Sequence, residues 1–282
     1  MYWFLKGFAF ILSQLQARSI DRLAKILTFL SFNICRIRYS IVMKNLHIAF
    51  GNEKSEAEFK SIAKLSYYHL TLTALEFLRS RRISIAGNVS FVGREHIDAA
   101  LNLGQGCYIL CIHLGNWEAF GAAVSQAITP AHVVVKRVGS TSIDRFVCEL
   151  RDYNKLFVFN RKKKGDAIRG IREILKKGEI VGFVMDQARS GEPRLPFFGK
   201  DATTNTALAS LSRRFPAPII PGFIRRVGVG QHVVEFLPAL RFEASEDRER
   251  DVLQQTQEFN SVIEDMIRRY PEQYLWLHNR WK

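Results

Sequence analysis

The sequence predicts an α/β fold, a central sheet covered by helices, with an apolar helical segment ahead of it. Three observations point there. Past residue 50, segments of helical period and short strand-length apolar runs take turns. The apolar run CYILCI at 107–112 follows a turn marked by Gly104 and Gly106, as a buried strand would. The first 35 residues carry two apolar stretches of a different kind.

Residues 1–17 (MYWFLKGFAFILSQLQA) hold a single charge, Lys6, and residues 26–35 (ILTFLSFNIC) follow after Arg18, Asp21, Arg22 and Lys25. A membrane-spanning helix needs about 20 apolar residues, so the first stretch sits at the lower limit and the second below it. The small-residue cleavage signal is weak and a second apolar segment follows at once. Residues 1–35 are therefore expected as a retained membrane anchor, either a short span or an interfacial helix with snorkelling Lys and Arg. Tyr2, Trp3, Phe4, Phe8 and Phe10 crowd its tip, as aromatic side chains do at a headgroup layer. Residues 36–282 contain no repeat, low-complexity tract or Pro/Gly linker and are expected as one catalytic domain.

Within that domain, Phe59, Ile62, Ala63, Leu70 and Leu78 place a helix over 56–80. The strand at 107–112 leads to a helix over 116–128, a strand at 131–135 and a helix at 142–153. A strand at 156–159, a helix at 166–177 and the strand EIVGFVM at 179–185 come next. A helix is expected over 203–215, then strands at 218–224 and 232–237. Val252, Leu253, Thr256, Phe259, Ile263, Met266, Ile267 and Tyr270 mark a closing helix over 250–270.

Forty-one Lys and Arg stand against 27 Asp and Glu, a net charge of +14, which points to an anionic partner. The surplus is concentrated: residues 136–177 hold 13 basic against 5 acidic side chains. Membrane phosphates, a phosphorylated substrate or an acidic protein would each explain it. A membrane-tethered nucleic-acid-binding module is the alternative of a different class, since RKKK at 161–164 suits phosphate contacts. No nucleic-acid-binding motif accompanies that run, so none is expected as partner. Cys35, Cys107, Cys111 and Cys148 are too few and scattered for a disulfide scaffold, which favours a reducing compartment.

The chain has no GxxxxGK[ST], no complete GxGxxG, no HExxH and no GxSxG, and Cys107 with Cys111 is half of a zinc motif at most. No metal or cofactor is expected. What stands out is HLGNWE at 113–118, directly after the strand at 107–112. His113 would lie at the carboxyl edge of the sheet, where open α/β sheets bind ligands. Glu118, in the first turn of the next helix, is placed to reach back to the imidazole and fix its tautomer, leaving the other nitrogen to accept a proton from a hydroxyl. Amides near Gly115 and Asn116 would meet developing negative charge. The bland alternative is a structural His–Glu pair.

HLGNWE resembles the H-x4-(D/E) block of the glycerolipid acyltransferase superfamily, and its flanks resemble the lipid A biosynthesis (lauroyl/myristoyl) acyltransferase branch. The likeness runs through VKR at 135–137, LR at 150–151, KKGEIVGFVMDQ at 176–187, LPFFG at 195–199, TTNT at 203–206 and YLWLHNRWK at 274–282. It implies a mixed central sheet covered by helices, and transfer of a fatty acyl chain from acyl-carrier protein to a hydroxyl of a lipid A precursor. The place implied is the cytoplasmic face of a bacterial inner membrane, with acyl-carrier protein, anionic lipids and the lipid A precursor as partners. His113 would be the general base and Glu118 its orienting partner, with Asn116, Arg137, Arg151, Asp186 and Gln187 as substrate-binding residues, Arg151 and Asp186 at the site rim. Lys136 and Thr206 depart from the branch, where tyrosine and glycine are common. Other glycolipids and lysophospholipids are the alternative acceptors. Cys111, two residues before His113 on the same strand face, is the rival nucleophile for an acyl-enzyme route.

Overall fold

The structure is a computed structural model and describes residues 1–134, 140–159, 166–187 and 190–282. Nine strands are named among the described residues: β1 (Val89–Val92), β2 (Cys107–Cys111), β3 (Ala131–Val134), β4 (Phe157–Phe159), β5 (Ile180–Val184), β6 (Arg194–Phe197), β7 (Lys200–Thr203), β8 (Ile219–Gly228) and β9 (Gln231–Phe236). Seven form one mixed sheet in the order β1-β9-β8-β2-β5-β3-β4, antiparallel only between β8 and β9. This bears out the mixed sheet with helical cover.

The helices are α1 (Tyr2–Gln14), α2 (Ala17–Phe29), α3 (Tyr39–Phe50), α4 (Glu56–Leu78), α5 (Arg94–Leu101), α6 (Trp117–Ala127), α7 (Thr141–Tyr153), α8 (Asp166–Lys176), α9 (Ala207–Arg214) and α10 (Arg248–Arg269). Strand β2 explains the layering. All five of its residues are buried, and alternate side chains point to opposite faces. Tyr108 and Leu110, with Ile112 beyond the strand, enter a core shared with α3, α8, α9 and α10. Cys107, Ile109 and Cys111 enter a second core with α1, α5, α6 and α7. A strand buried on both faces must be apolar throughout, as CYILC is.

The sequence-based elements recur with shifts of a few residues, except near residue 203. The helix expected from 203 starts at Ala207, because Thr203 closes the β6–β7 hairpin. Phe198 (φ 51°) and Gly199 (φ 70°) make the two-residue loop, both left-handed as a type I′ hairpin requires. Phe198 is held by its ring, which packs edge-on against Phe50 and Trp281. Helices α3 and α5 and strands β1, β6 and β7 had no sequence-based counterpart.

Helices α1 and α2 contain 13 residues each and are joined through Leu15 and Gln16. α1 spans about 20 Å, and α2 runs on without a break through a π-helical turn at Leu30–Ile34, against about 30 Å of bilayer core. Among the described residues, no single helix is long and apolar enough to cross a membrane. A bent helix pair, Ala17–Ile34 with Tyr39–Glu53 at 89°, meets the length and composition of a broken span. Both α1 and α2 pack on the body: Leu12, Ile20 and Ala24 are buried against Leu72 and Leu75 of α4. Tyr2 and Lys6 also contact Glu149 of α7.

Candidate active site

Parallel pairing of β2 with β5 sets Cys111 beside Val184. Carried two residues on, the same register brings His113 beside Asp186 at the carboxyl ends of both strands. The Asp186 carboxylate engages His113 twice. Its Oδ2 accepts the His113 backbone N–H at 3.0 Å, and its Oδ1 lies 2.8 Å from Nδ1. Nδ1–H then donates to Asp186, and Nε2 is the nitrogen left to accept a proton.

Asp186 is 2% exposed. Burial alone would raise its pKa, but the His113 charge and two hydrogen bonds outweigh burial and hold it below the usual carboxylate value. For His113, burial pulls the pKa down, and the Asp186 charge and hydrogen bond more than reverse this. The imidazole is a stronger base than an ordinary histidine. Tyr274, from the C-terminal segment, lies near Asp186, and burial together with that carboxylate's charge drives its phenol far up. The Gln187 amide lies 3.4 Å from Nδ1.

Glu118 does not serve the histidine. It sits in the first turn of α6, where Arg151 from the last turn of α7 grips it with two bonds, Nε to Oε2 at 2.9 Å and Nη2 to Oε1 at 2.6 Å. The expected Glu118–imidazole bond is thus replaced by Asp186–imidazole. A carboxylate five residues along the chain competes here with one two residues past the neighbouring strand, and the strand register decides. Asp186 is correspondingly not a rim residue. Arg151 has two of its nitrogens occupied by Glu118.

Asn116 is fully buried, and both ends of its amide are used within the protein. Its Oδ1 caps α6 through the Ala119 N–H at 3.0 Å and its Nδ2 donates to Glu76 at 2.7 Å. It shapes the loop and is not available to bind substrate. The Gly115 N–H, expected to meet an oxyanion, donates instead to the Gln273 carbonyl at 3.0 Å. Gly115 itself is required by space: its φ is +59°, and an added Cβ would lie 2.2 Å from the Ile224 carbonyl oxygen. Arg137 and the run at 161–164 lie outside the described residues.

Below His113 a cavity runs between α6 and the sheet. His113, Trp117, Glu118 and Arg151 stand at its polar end, and the remaining wall includes Ile109, Val124, Ala131, Val133, Ile180 and Gly182. From His113 to Ile109 is four residues of extended chain, about 13 Å. A polar mouth over an apolar shaft suits a molecule with a reactive head and a hydrocarbon tail. Cys111 lines the same shaft, but its Sγ donates to the Phe183 carbonyl at 3.3 Å and burial pushes its thiol far up. It is a packed thiol and not a thiolate nucleophile.

All 282 residues match the family model for bacterial lipid A biosynthesis acyltransferases. The chain belongs to this family. It is 28% identical to the lipid A biosynthesis lauroyltransferase of Escherichia coli K12, over 99% of this chain and 90% of that one. It is 26% identical to the palmitoleoyltransferase of the same organism, over 87% and 79%. A lipid A biosynthesis acyltransferase of Shigella flexneri matches at the same level, 26% over 87% and 79%. This acyltransferase of lipid A biosynthesis therefore carries its H-x4-E block as HLGNWE, with the histidine clamped by Asp186 and the glutamate by Arg151.

The C-terminal segment is the part of the site that residue types alone did not reveal. Leu275 N–H donates to the His113 carbonyl at 3.0 Å, and Leu114 bridges to Tyr274. Burial lowers His278 to about 4, so this second imidazole, within electrostatic reach of Asp186 and His113, stays neutral. The signal available beforehand was the polar string inside YLWLHNRWK, at the end of an otherwise helical region.

Proposed function

We propose that this acyltransferase moves a fatty acyl chain from an acyl-carrier-protein thioester to a hydroxyl of a lipid A precursor by direct attack. His113 Nε2 takes the hydroxyl proton as the oxygen attacks the thioester carbonyl. Asp186 holds the Nδ1–H tautomer and stabilises the imidazolium that forms. The imidazolium then returns its proton to the departing thiolate of the donor. Arg151, beside His113 at the cavity mouth, supplies positive charge near the carbonyl oxygen, and Glu118 keeps it there. The acyl tail lies in the shaft between α6 and the sheet. No enzyme nucleophile and no cofactor takes part.

One observation carries this reading: an imidazole of raised basicity fixed at the mouth of an apolar cavity, in a chain of this family. Helices α1 and α2 attach the protein to the cytoplasmic face of the inner membrane as interfacial helices. Trp3, Phe4, Phe8 and Ile11 stand exposed along one side of α1, as such attachment requires. The basic surplus at 136–177 attracts acidic acyl-carrier protein or lipid phosphate.

The test is incubation of purified protein in detergent with acyl-carrier-protein thioesters and a lipid A precursor, read by mass spectrometry. One added acyl chain supports the reading, and acyl-CoA in place of the carrier protein identifies the donor. Lipid A from cells lacking the protein should miss the same chain. Hydrolysis without transfer, or an acylated lysophospholipid, overturns the acceptor assignment.

A further inference from the structure

A second cavity opens where α1, the end of α4 and α7 meet, sharing no lining residue with the His113 cavity. Its wall contains Lys6, Arg79, Arg81 and Arg82, the aromatic rings of Phe10, Phe146 and Tyr153, and, among the described residues, no acidic side chain. Arg79 is the unusual member. It is 7% exposed, and among the described residues it forms no ion pair. Its Nη2 donates to the Leu15 carbonyl at 2.6 Å, while its buried Nε has no hydrogen-bond partner. The buried carboxylate within electrostatic reach, Glu76, already accepts from Arg226, Asn116 and the Gly230 N–H. Two buried guanidinium groups thus share one carboxylate. Arg79 also borders a neighbouring cavity whose wall contains Glu76, but a buried guanidinium without a hydrogen-bonded counter-ion is strongly unfavourable, so an anion on its arginine-lined side would be stabilised.

The rim is organised as well. Arg81 lies over the Tyr153 ring, 5.9 Å from its centroid, and Arg82 over Phe10 at 5.5 Å. Stacking leaves the guanidinium edges free for phosphate oxygens, which Arg binds through two parallel N–H groups. Lys6, also in the wall, is paired with Glu149 at 3.1 Å. Lys6, Phe10 and Ser13 face the cavity from α1, and the next face of the same helix is the exposed apolar row of Trp3, Phe4, Phe8 and Ile11. A phosphate seated among the arginines would have hydrocarbon chains lying along that row.

We infer that this cavity binds the phosphate of an anionic glycerophospholipid headgroup, so that α1 docks on the bilayer through a defined lipid site separate from the acyl-transfer site. This rests on the membrane association proposed above and not on the acyl-transfer chemistry. The site orients the enzyme: a lipid fixed between α1 and α7 sets which face of the sheet meets the membrane.

The test uses the full chain and flotation on phosphatidylcholine vesicles with and without phosphatidylglycerol. Arg81→Gln with Arg82→Gln, both exposed and therefore safe for folding, should weaken binding to phosphatidylglycerol vesicles about tenfold or more. Binding to phosphatidylcholine and turnover on detergent-solubilised substrate should not change. Arg241→Gln with Arg248→Gln removes the same charge from another exposed part of the chain and should cost much less. Dihexanoylphosphatidylglycerol should raise the melting temperature of the unaltered protein, but not of the Arg81/Arg82 variant. Equal losses in the two double variants would mean diffuse attraction and overturn the site. Stabilisation by inorganic phosphate equal to that by the short lipid would make it a free-phosphate site and overturn the lipid assignment. If Trp3→Ser with Phe8→Ser abolishes vesicle binding while the Arg81/Arg82 variant binds normally, membrane association stands and the headgroup site falls.

Discussion

Asp186 holds His113 by backbone and side chain at once, accepting the N–H at 3.0 Å and bonding Nδ1 at 2.8 Å. A carboxylate with two bonds to one residue sets both the loop and the ring, so the imidazole is oriented without a substrate.

His113→Ala should reduce acyl transfer by about 10²–10⁴-fold, the usual worth of a positioned general base, and should also lower the melting temperature, because it leaves the buried Asp186 carboxylate without its imidazole. Asp186→Asn should also impair turnover, because the amide can present its N–H to Nδ1 and favour the wrong tautomer. Cys111→Ala should keep near-normal turnover. A stable but inactive Cys111→Ala protein would restore the acyl-enzyme route.

The pH dependence follows from the pair. A base acts when neutral, so transfer should rise with pH through the His113 pKa, above the ordinary 6.5. The stability signs are opposite for the two partners. The raised His113 pKa contributes stability present below the unfolded value and lost as pH rises through the folded one. The lowered Asp186 pKa contributes stability present above its unfolded value and lost as pH falls through the folded one. In Asp186→Asn, the Asp186 charge no longer opposes burial, and the rising, acidic limb of the kcat/KM profile should move to lower pH. An unmoved limb would show that another group governs it.

The Glu118–Arg151 pair should behave as a unit. Glu118→Ala leaves a mostly buried guanidinium without its carboxylate, which costs on the order of 3–5 kcal/mol in such settings. Loss of melting temperature should therefore accompany loss of activity. Arg151→Lys keeps the charge but cannot reproduce the two-bond grip, so its turnover should fall at saturating substrate. Recovery of full rate at high substrate would place Arg151 in capture and not in the chemical step.

The shaft makes a prediction about the donor. Ala131 lies at its far end, paired across the sheet with Ile180. Ala131→Phe should block that end and shift preference to shorter acyl chains in competition between thioesters. An unchanged preference would put the tail elsewhere.

Attachment through α1 can be tested apart from catalysis. Replacing Trp3, Phe4 and Phe8 with serine removes exposed apolar surface from α1. Membrane recovery should drop while activity on detergent-dispersed substrate persists. Full sedimentation with membranes would shift the attachment to another surface.

Local pattern determined much of this protein. The apolar runs at β2 and β5, the helical period of α4 and α10, and HLGNWE after a strand were all legible, because burial of one face or both imposes a periodicity on residue type. His113 could be placed at a strand end from the same pattern. Its partner could not. Glu118 was near in sequence and chemically suitable, yet whether it reaches His113 depends on a strand that arrives 73 positions later and pairs in one register. That register delivers Asp186 to the imidazole, α7 delivers Arg151 to Glu118, and the C-terminal segment delivers Tyr274. Arg79 followed the same rule: its basic character was visible in the chain, while its buried, unpaired state arose from the packing of α1 against α4 and α7. Residue type and spacing are local properties, but which charges share a low-dielectric space is decided by topology.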